Sequence, residues 1–376
     1  MRILLLSDFH SNERFEQVYE FLKRDRFLDK CKIDSIIVNG NMLGITEMAP
    51  GYGHKYNRET FLLDLDKRKI FFYIAPQTTK RFVKAINDEE FEKSRKQLSD
   101  LILSFAEERY SWVLSALRKL SKLRHTYFNF GTLESPLHFF VVDELALILG
   151  LASGELRDKV EEEELQEIFS RFKQKLEQLS ADEHFTYISL KSFEKEDALF
   201  IGIPGVANDL ENEEDASVQE KLTSDILEEA RDKLHGIKAA IICNNVQGIT
   251  TTDPFKFTPG SESARAFMEQ TKQEPFVTVF IQSHRHFMTT HFYKEKNWHF
   301  ILNNSAVNNG LFNIIEIEGS EVNCWDVDAS TGRVICLQEY DKDKTEYNTP
   351  EERLALNYAI PEDIIEERQL KGCEHM

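Results

Sequence analysis

Two short apolar runs, far apart in the chain, end in the same chemistry. Residues 2–6 run into Ser7-Asp8-Phe9-His10, and residues 276–281 run into Ser283-His284-Arg285-His286. A brief apolar run closed by polar residues reads as a strand buried on both faces. In open α/β sheets, sites form at the C-terminal ends of such strands. Residues two apart on an extended segment share a side. Asp8 therefore pairs with His10, and His284 with His286. One carboxylate and three imidazoles brought together make a mixed oxygen and nitrogen donor set. Such a set suits a divalent ion of the Mn, Fe or Zn type.

The chain around these runs has 376 residues, room for one large domain with insertions or for two domains. A formal net charge of -19 argues against a general nucleic-acid binder, which needs a basic groove for the phosphate backbone. Five cysteines, Cys31, Cys243, Cys324, Cys336 and Cys373, show no knuckle spacing; a reduced, cytoplasmic setting is the simplest expectation. No apolar stretch reaches membrane-spanning length, and the first run is too short for a signal segment, so no membrane role is expected.

Along the chain, the first run is followed by helical spacing at Phe15, Val18, Phe21 and Leu22, then by a second apolar run, 33–38, ending at Asn39-Gly40-Asn41. This β-α-β opening predicts parallel strands. Helical insertions are expected at about 52–123 and 155–183. The last helix of the first should start near the cap candidates Ser99 and Asp100. A strand at 126–130 leads into Gly131-Thr132-Leu133-Glu134. Residues 137–149 are apolar and rich in β formers. Further strands are expected at 187–193, 198–203, 239–243, 291–293, 299–302, 312–318 and 322–326, with helices at 218–235 and 262–273. Loops are expected at 208–215 and 254–260. The domain should close near residue 340, leaving 341–376 as a charged tail.

Five strand-end motifs thus occur in order: Asp8-x-His10, Gly40-Asn41, Gly131-Thr132-Leu133-Glu134, Asn244-Asn245 and His284-x-His286. This series resembles the calcineurin-like metallophosphoesterase superfamily, whose motifs read D-x-H, G-D, G-N-H-[DE], H and G-H-x-H. The resemblance covers roughly residues 1–330. It implies an α/β fold: a four-layer α-β-β-α sandwich, with helices outside two sheets, here carrying helical insertions. It also implies two cations roughly 3.5–4 Å apart with a hydroxide that attacks phosphorus.

The departures bear on function as much as the matches. By the resemblance, Asp8, His10 and His286 match ligands of the first cation and His284 matches a ligand of the second. Asn41 stands where the family has a carboxylate bridging both, and an amide bridges poorly. Thr132 replaces an asparagine ligand. Leu133 replaces the histidine that protonates the leaving group, and it has no proton to give. Asn244 or Asn245, a register the sequence leaves open, replaces another histidine. Glu134 is either a loop carboxylate or a group behind the ligands. Loss of the general acid alone costs ~10²–10⁴ in rate. The expectation is at most one divalent cation per chain, weak or lost phosphoester hydrolysis, and a pseudoenzyme that serves binding or scaffolding. The helical insertions would carry a protein partner. The competing expectation is a divergent phosphoesterase working with one cation held by Asp8, His10, His286 and Asn41. As a bland reading, Asp8 simply caps the helix that follows it.

Overall fold

A computed structural model describes residues 1–9, 12–43, 88–131, 134, 162–182, 184–205, 213–245, 261–283, 286–304, 311–329, 334–337 and 340–341. The described chain is a mixed α/β protein with two seven-stranded mixed sheets and six α-helices. No helix among the described residues is long and apolar enough to cross a membrane.

The first sheet is built on β1 (Arg2–Leu6), β2 (Ser35–Asn39), β3 (His125–Asn129) and β4 (Phe185–Tyr187). These four run parallel side by side. On the other flank of β1 the sheet continues through β11 (Leu311–Glu318), β12 (Glu321–Asp328) and β13 (Val334–Cys336), all antiparallel. The second sheet centres on β6 (Ala198–Ile203), β7 (Ala239–Asn244), β8 (Val277–Gln282) and β10 (Trp298–Asn304), again parallel. Its flanks are β5 (Ser192–Lys195) on one side, and β9 (His286–Glu295) followed by β14 (Tyr340–Asp341) on the other. β10 lies between β8 and β9. The chain leaving β8 therefore passes the end of β10 before β9 begins, and His286 pairs with Asn304.

Strict alternation along the strands sorts the apolar residues into separate cores. Leu4, Leu6, Ile36, Val38 and Phe128 pack with helices α1 (Asn12–Lys23), α3 (Asp88–Ser121) and α4 (Glu162–Leu179) through Phe15, Ile102, Val113, Leu117, Ile168 and Leu176. The intervening residues Ile3, Leu5, Ile37, Tyr127 and Ile315 share a second cluster with Phe200, Ile241, Cys243, Val279 and Ile301 of the other sheet. Leu199, Ile201, Phe280 and Phe300 form a third cluster with α5 (Glu213–Arg231) and α6 (Glu262–Thr271). The short α2 (Phe27–Lys30) buries Leu28 behind β2. Alternate cores of this kind explain why runs such as Ile-Leu-Leu-Leu in β1 carry no polar residue: both faces are covered.

The parallel opening holds: β1 and β2 pair as Leu4↔Ile36 and Leu6↔Val38. Several expected boundaries shift. α3 starts at Asp88, so Ser99 and Asp100 are inside a continuous helix rather than at its cap. Packing against α4 outweighs their weak helix propensity, and Ser99 Oγ reaches Glu164 at 3.5 Å. The stretch 187–193 is two strands in different sheets. Tyr187 ends β4, a left-handed residue at Leu190 (φ 54) turns the chain, and β5 then pairs antiparallel with β6. Alternation cannot register such a change of sheet. Glu213–Asp215, read as loop, begin α5. β13 and β14 were not expected. The 137–149 and 254–260 stretches, all of 52–87, and the tail beyond 341 lie outside the described residues.

α3 and α4 run parallel: Glu107 pairs with Arg171 at 2.6 Å, and the Tyr110 ring stacks on Phe172 at 4.6 Å. α3 has 34 residues, about 50 Å of helix, against the five residues of β3, about 17 Å.

Candidate functional site

The ends of β1, β2 and β3 meet in a fully buried polar junction. Backbone pairing continues one step past the strands, where Asp8 N–H donates to Gly40 C=O at 3.0 Å. Both chains then turn sharply. Asp8 (φ 54), Gly40 (φ 75) and Asn41 (φ 52) all adopt left-handed backbone. Asp and Asn tolerate this region better than other side-chain-bearing residues. It still costs of order 1–3 kcal/mol where the surroundings impose it, and such strain gathers at sites. The two turns aim their side chains at each other: Asn41 Nδ2 donates to Asp8 Oδ1 at 2.6 Å, and both residues have zero exposure. A bridge between two cations needs an oxygen there, and this arrangement offers an N–H.

Two glycines let the backbones close on one another. A Cβ on Gly40 would stand 2.4 Å from Gly131 Cα, and one on Gly131 would stand 2.2 Å from Asn41 N. Glu134 locks this contact. Its Oε2 accepts the N–H of Gly131 (2.6 Å) and of Asn41 (2.9 Å), and its Oε1 accepts the N–H of Leu43 (3.0 Å). The Tyr110 hydroxyl of α3 donates to the Glu134 carbonyl at 3.3 Å. Burial pushes the Glu134 carboxyl up to about 7, while the N–H groups of Leu43, Gly131, Asn41 and Met42 pull it down by favouring the ionised form. Glu134 thus ties the loop leaving β2 to the loop leaving β3.

Asn244 and Asn245 face opposite sides of their sheet. Asn244 follows Ile242 onto the helix-covered face and bonds Gln282, whereas Asn245 continues the face of Ile241 and Cys243. Asn245 Nδ2 crosses to the other sheet and donates to Asn39 C=O at 2.7 Å.

Asn245 belongs to a cross-sheet network that motif reading missed. Asn39 Nδ2 donates to Asn244 C=O (3.1 Å) and Ser283 Oγ (2.9 Å). Asn129 Nδ2 lies within bonding distance of Asn39 Oδ1 (2.9 Å), Cys243 C=O (3.0 Å) and Ile203 C=O (3.1 Å). Asn39, Asn129 and Ser283 extend the inward faces of Ile37, Tyr127 and Ile281. The signal was present: three polar residues fall in phase with inward apolar positions at strand ends. The network joins the two sheets directly beneath the Asp8–Asn41 pair.

Other expected site residues cannot be joined to this picture. His10, Thr132, Leu133 and His284 lie outside the described residues, as does the side chain of His286, whose backbone opens β9. Among the described residues, no group of three or more His, Cys, Asp or Glu side chains converges on one point. Asp8 lies four residues before Asn12, the first described residue of α1. No protein-family model matches the chain, and no curated protein matches its sequence.

Proposed function

We propose that this chain is a metallophosphoesterase-type protein whose site is degenerate, holding at most one divalent cation and serving binding rather than phosphoester hydrolysis. The reading takes the three apolar clusters as the three seams of a four-layer α-β-β-α sandwich. The observation that carries it is the Asn41–Asp8 hydrogen bond at 2.6 Å. Two carboxylates at this point would need a cation or a shared proton between them. An amide and a carboxylate complement each other without any. Asp8 still supplies one anionic oxygen donor, which fits a single Mn, Fe or Zn type ion completed by the imidazoles of His10 and His286. When bound, such an ion would supply Lewis acidity. The residues of this chain would position it and withhold the second. α3 and α4, which extend past the strand ends on the side of the junction, would present a surface for a protein partner.

Elemental analysis of the purified chain tests this. The expected result is no more than one equivalent of transition metal, with negligible release of p-nitrophenol from mono- and diester substrates. Two equivalents per chain would overturn it. A one-cation phosphoesterase is the second reading, favoured by the strained backbone retained at Asp8. Robust turnover that His10→Ala abolishes would select it.

A further inference from the structure

We infer that Asp326, Asn313 and Thr290 form a proton-operated fastening between the two sheets, drawn tight while the Asp326 carboxyl is neutral and loosened once it ionises. The inference is independent of any cation at Asp8. Asn313 stands opposite Leu5 on β1 and opposite Asp326 on β12. Alternation puts Asn313 and Asp326 on the inward side of the first sheet, in phase with Ile315 and Cys324. It puts Thr290 of β9 on the inward side of the second, in phase with Phe292. Asn313 Nδ2 donates to Asp326 Oδ1 at 2.5 Å and to Thr290 Oγ1 at 3.1 Å, so one buried amide reaches both sheets. The Thr290 hydroxyl also bonds the Asp326 carboxyl across the seam. Of the other titratable groups, Cys324 and Asp328 of β12 share the face of Asp326, and neither carries positive charge. Ile335 of β13 stands opposite it. The side chain of His286, four residues before Thr290 on β9, lies outside the described residues. Among the described residues no lysine, arginine or histidine acts on the carboxyl. A charge there is costly because no opposite charge offsets its lost hydration. Burial therefore pushes the carboxyl up to about 6, although the Thr290 and Asn313 hydrogen bonds pull it down. Asp326 keeps part of its surface exposed, so a small separation of β9 from β12 brings the ionised group to water.

Asp326→Asn keeps the shape of the side chain and mimics its neutral form, so it should hold the seam tight at every pH. Urea unfolding of the full chain is followed from pH 4 to pH 8 in wild type and variant. The folded value is raised above the ordinary carboxylate value of about 3.9, so the stabilisation is complete below about pH 4 and is lost as pH rises through about 6. Across that range the unfolding equilibrium constant of the wild type should grow roughly 50-fold more than that of Asp326→Asn. Parallel pH profiles overturn the inference. Hydrogen exchange reads the loosening itself. At pH 8 the amides of β9 and β12 should exchange faster in the wild type than in Asp326→Asn, with those of β2 alike in both; equal rates in β9 and β12 overturn the inference. Should Asp326→Asn fail to fold, Thr290→Val decides. It removes the hydroxyl that favours the charged form, so the pH at which stability stops falling should move above that of the wild type. An unmoved profile means that no bond crosses the seam to Asp326, and it also overturns the inference.

Discussion

Replacing Asn41 by aspartate puts a second carboxylate 2.6 Å from Asp8 Oδ1, in a place with no exposure. At an effective dielectric constant of about 20, two unit charges at that separation repel by about 6 kcal/mol. Taking up a proton is cheaper. Forcing one carboxyl with an ordinary value near 3.9 to stay protonated at pH 7 costs ~4 kcal/mol, and at pH 5 only ~1.5 kcal/mol. The protonated form can still donate to Asp8, so the geometry survives. The folded-state value of the pair is raised. Its stability is therefore intact below about pH 4 and is lost as pH rises through the folded value. Asn41→Asp should then unfold in urea with a deficit of about 4 kcal/mol at pH 7 that shrinks by more than half at pH 5. Mn²⁺ should close most of the gap at pH 7, because a cation replaces the proton between the two groups. A deficit that is the same at both pH values and indifferent to Mn²⁺ would refute the reasoning, since it would mean the two side chains do not face one another.

Gly131→Ala should cost 3 kcal/mol or more in urea unfolding, on the scale of severe overpacking, because its Cβ would lie 2.2 Å from Asn41 N. Gly236→Ala, with nothing within 4 Å of its Cβ, should cost only the ~1–2 kcal/mol of its left-handed backbone (φ 85). Equal costs would place the close approach elsewhere. Asn39→Ala takes the donor from the buried Ser283 Oγ, while the Asn244 carbonyl keeps the Ser283 N–H. At ~1–3 kcal/mol per abandoned buried group, its thermal midpoint should fall by several degrees; an unchanged midpoint would mean the cross-sheet network carries no stability.

The parallel β1–β2 pairing, the strands that lead to Asn41, Glu134 and Asn245, and most helix positions were legible because each is a run with one period. The second sheet's outer order was not. β9 skips the place that β10 later fills, and nothing in residues 286–304 marks that exchange. The split of 187–193 between sheets escaped for the same reason: both halves alternate correctly, and the sheet is a property of the partner strand. Asp8 and Asn41 were legible as residue types, but not as a hydrogen-bonded pair. Their meeting depends on Gly40 passing Gly131, a contact between segments 91 residues apart in sequence, as Asn41–Gly131 contact is one residue shorter. Asn39 closed the second apolar run and Asn129 lay inside the expected strand 126–130, and nothing local singles either out. Only the facing sheet makes them cross-links.

Tyr110 marks how α3 is mounted. Its hydroxyl bonds the Glu134 carbonyl, so the 22 residues of the helix that precede Tyr110 extend about 33 Å beyond the junction as one rod. A rod fixed near its lower third magnifies movement: tilting it by about 10° at Tyr110 would carry its far end through about 6 Å. Force applied at Asp88 would therefore reach the Glu134 carbonyl as torque.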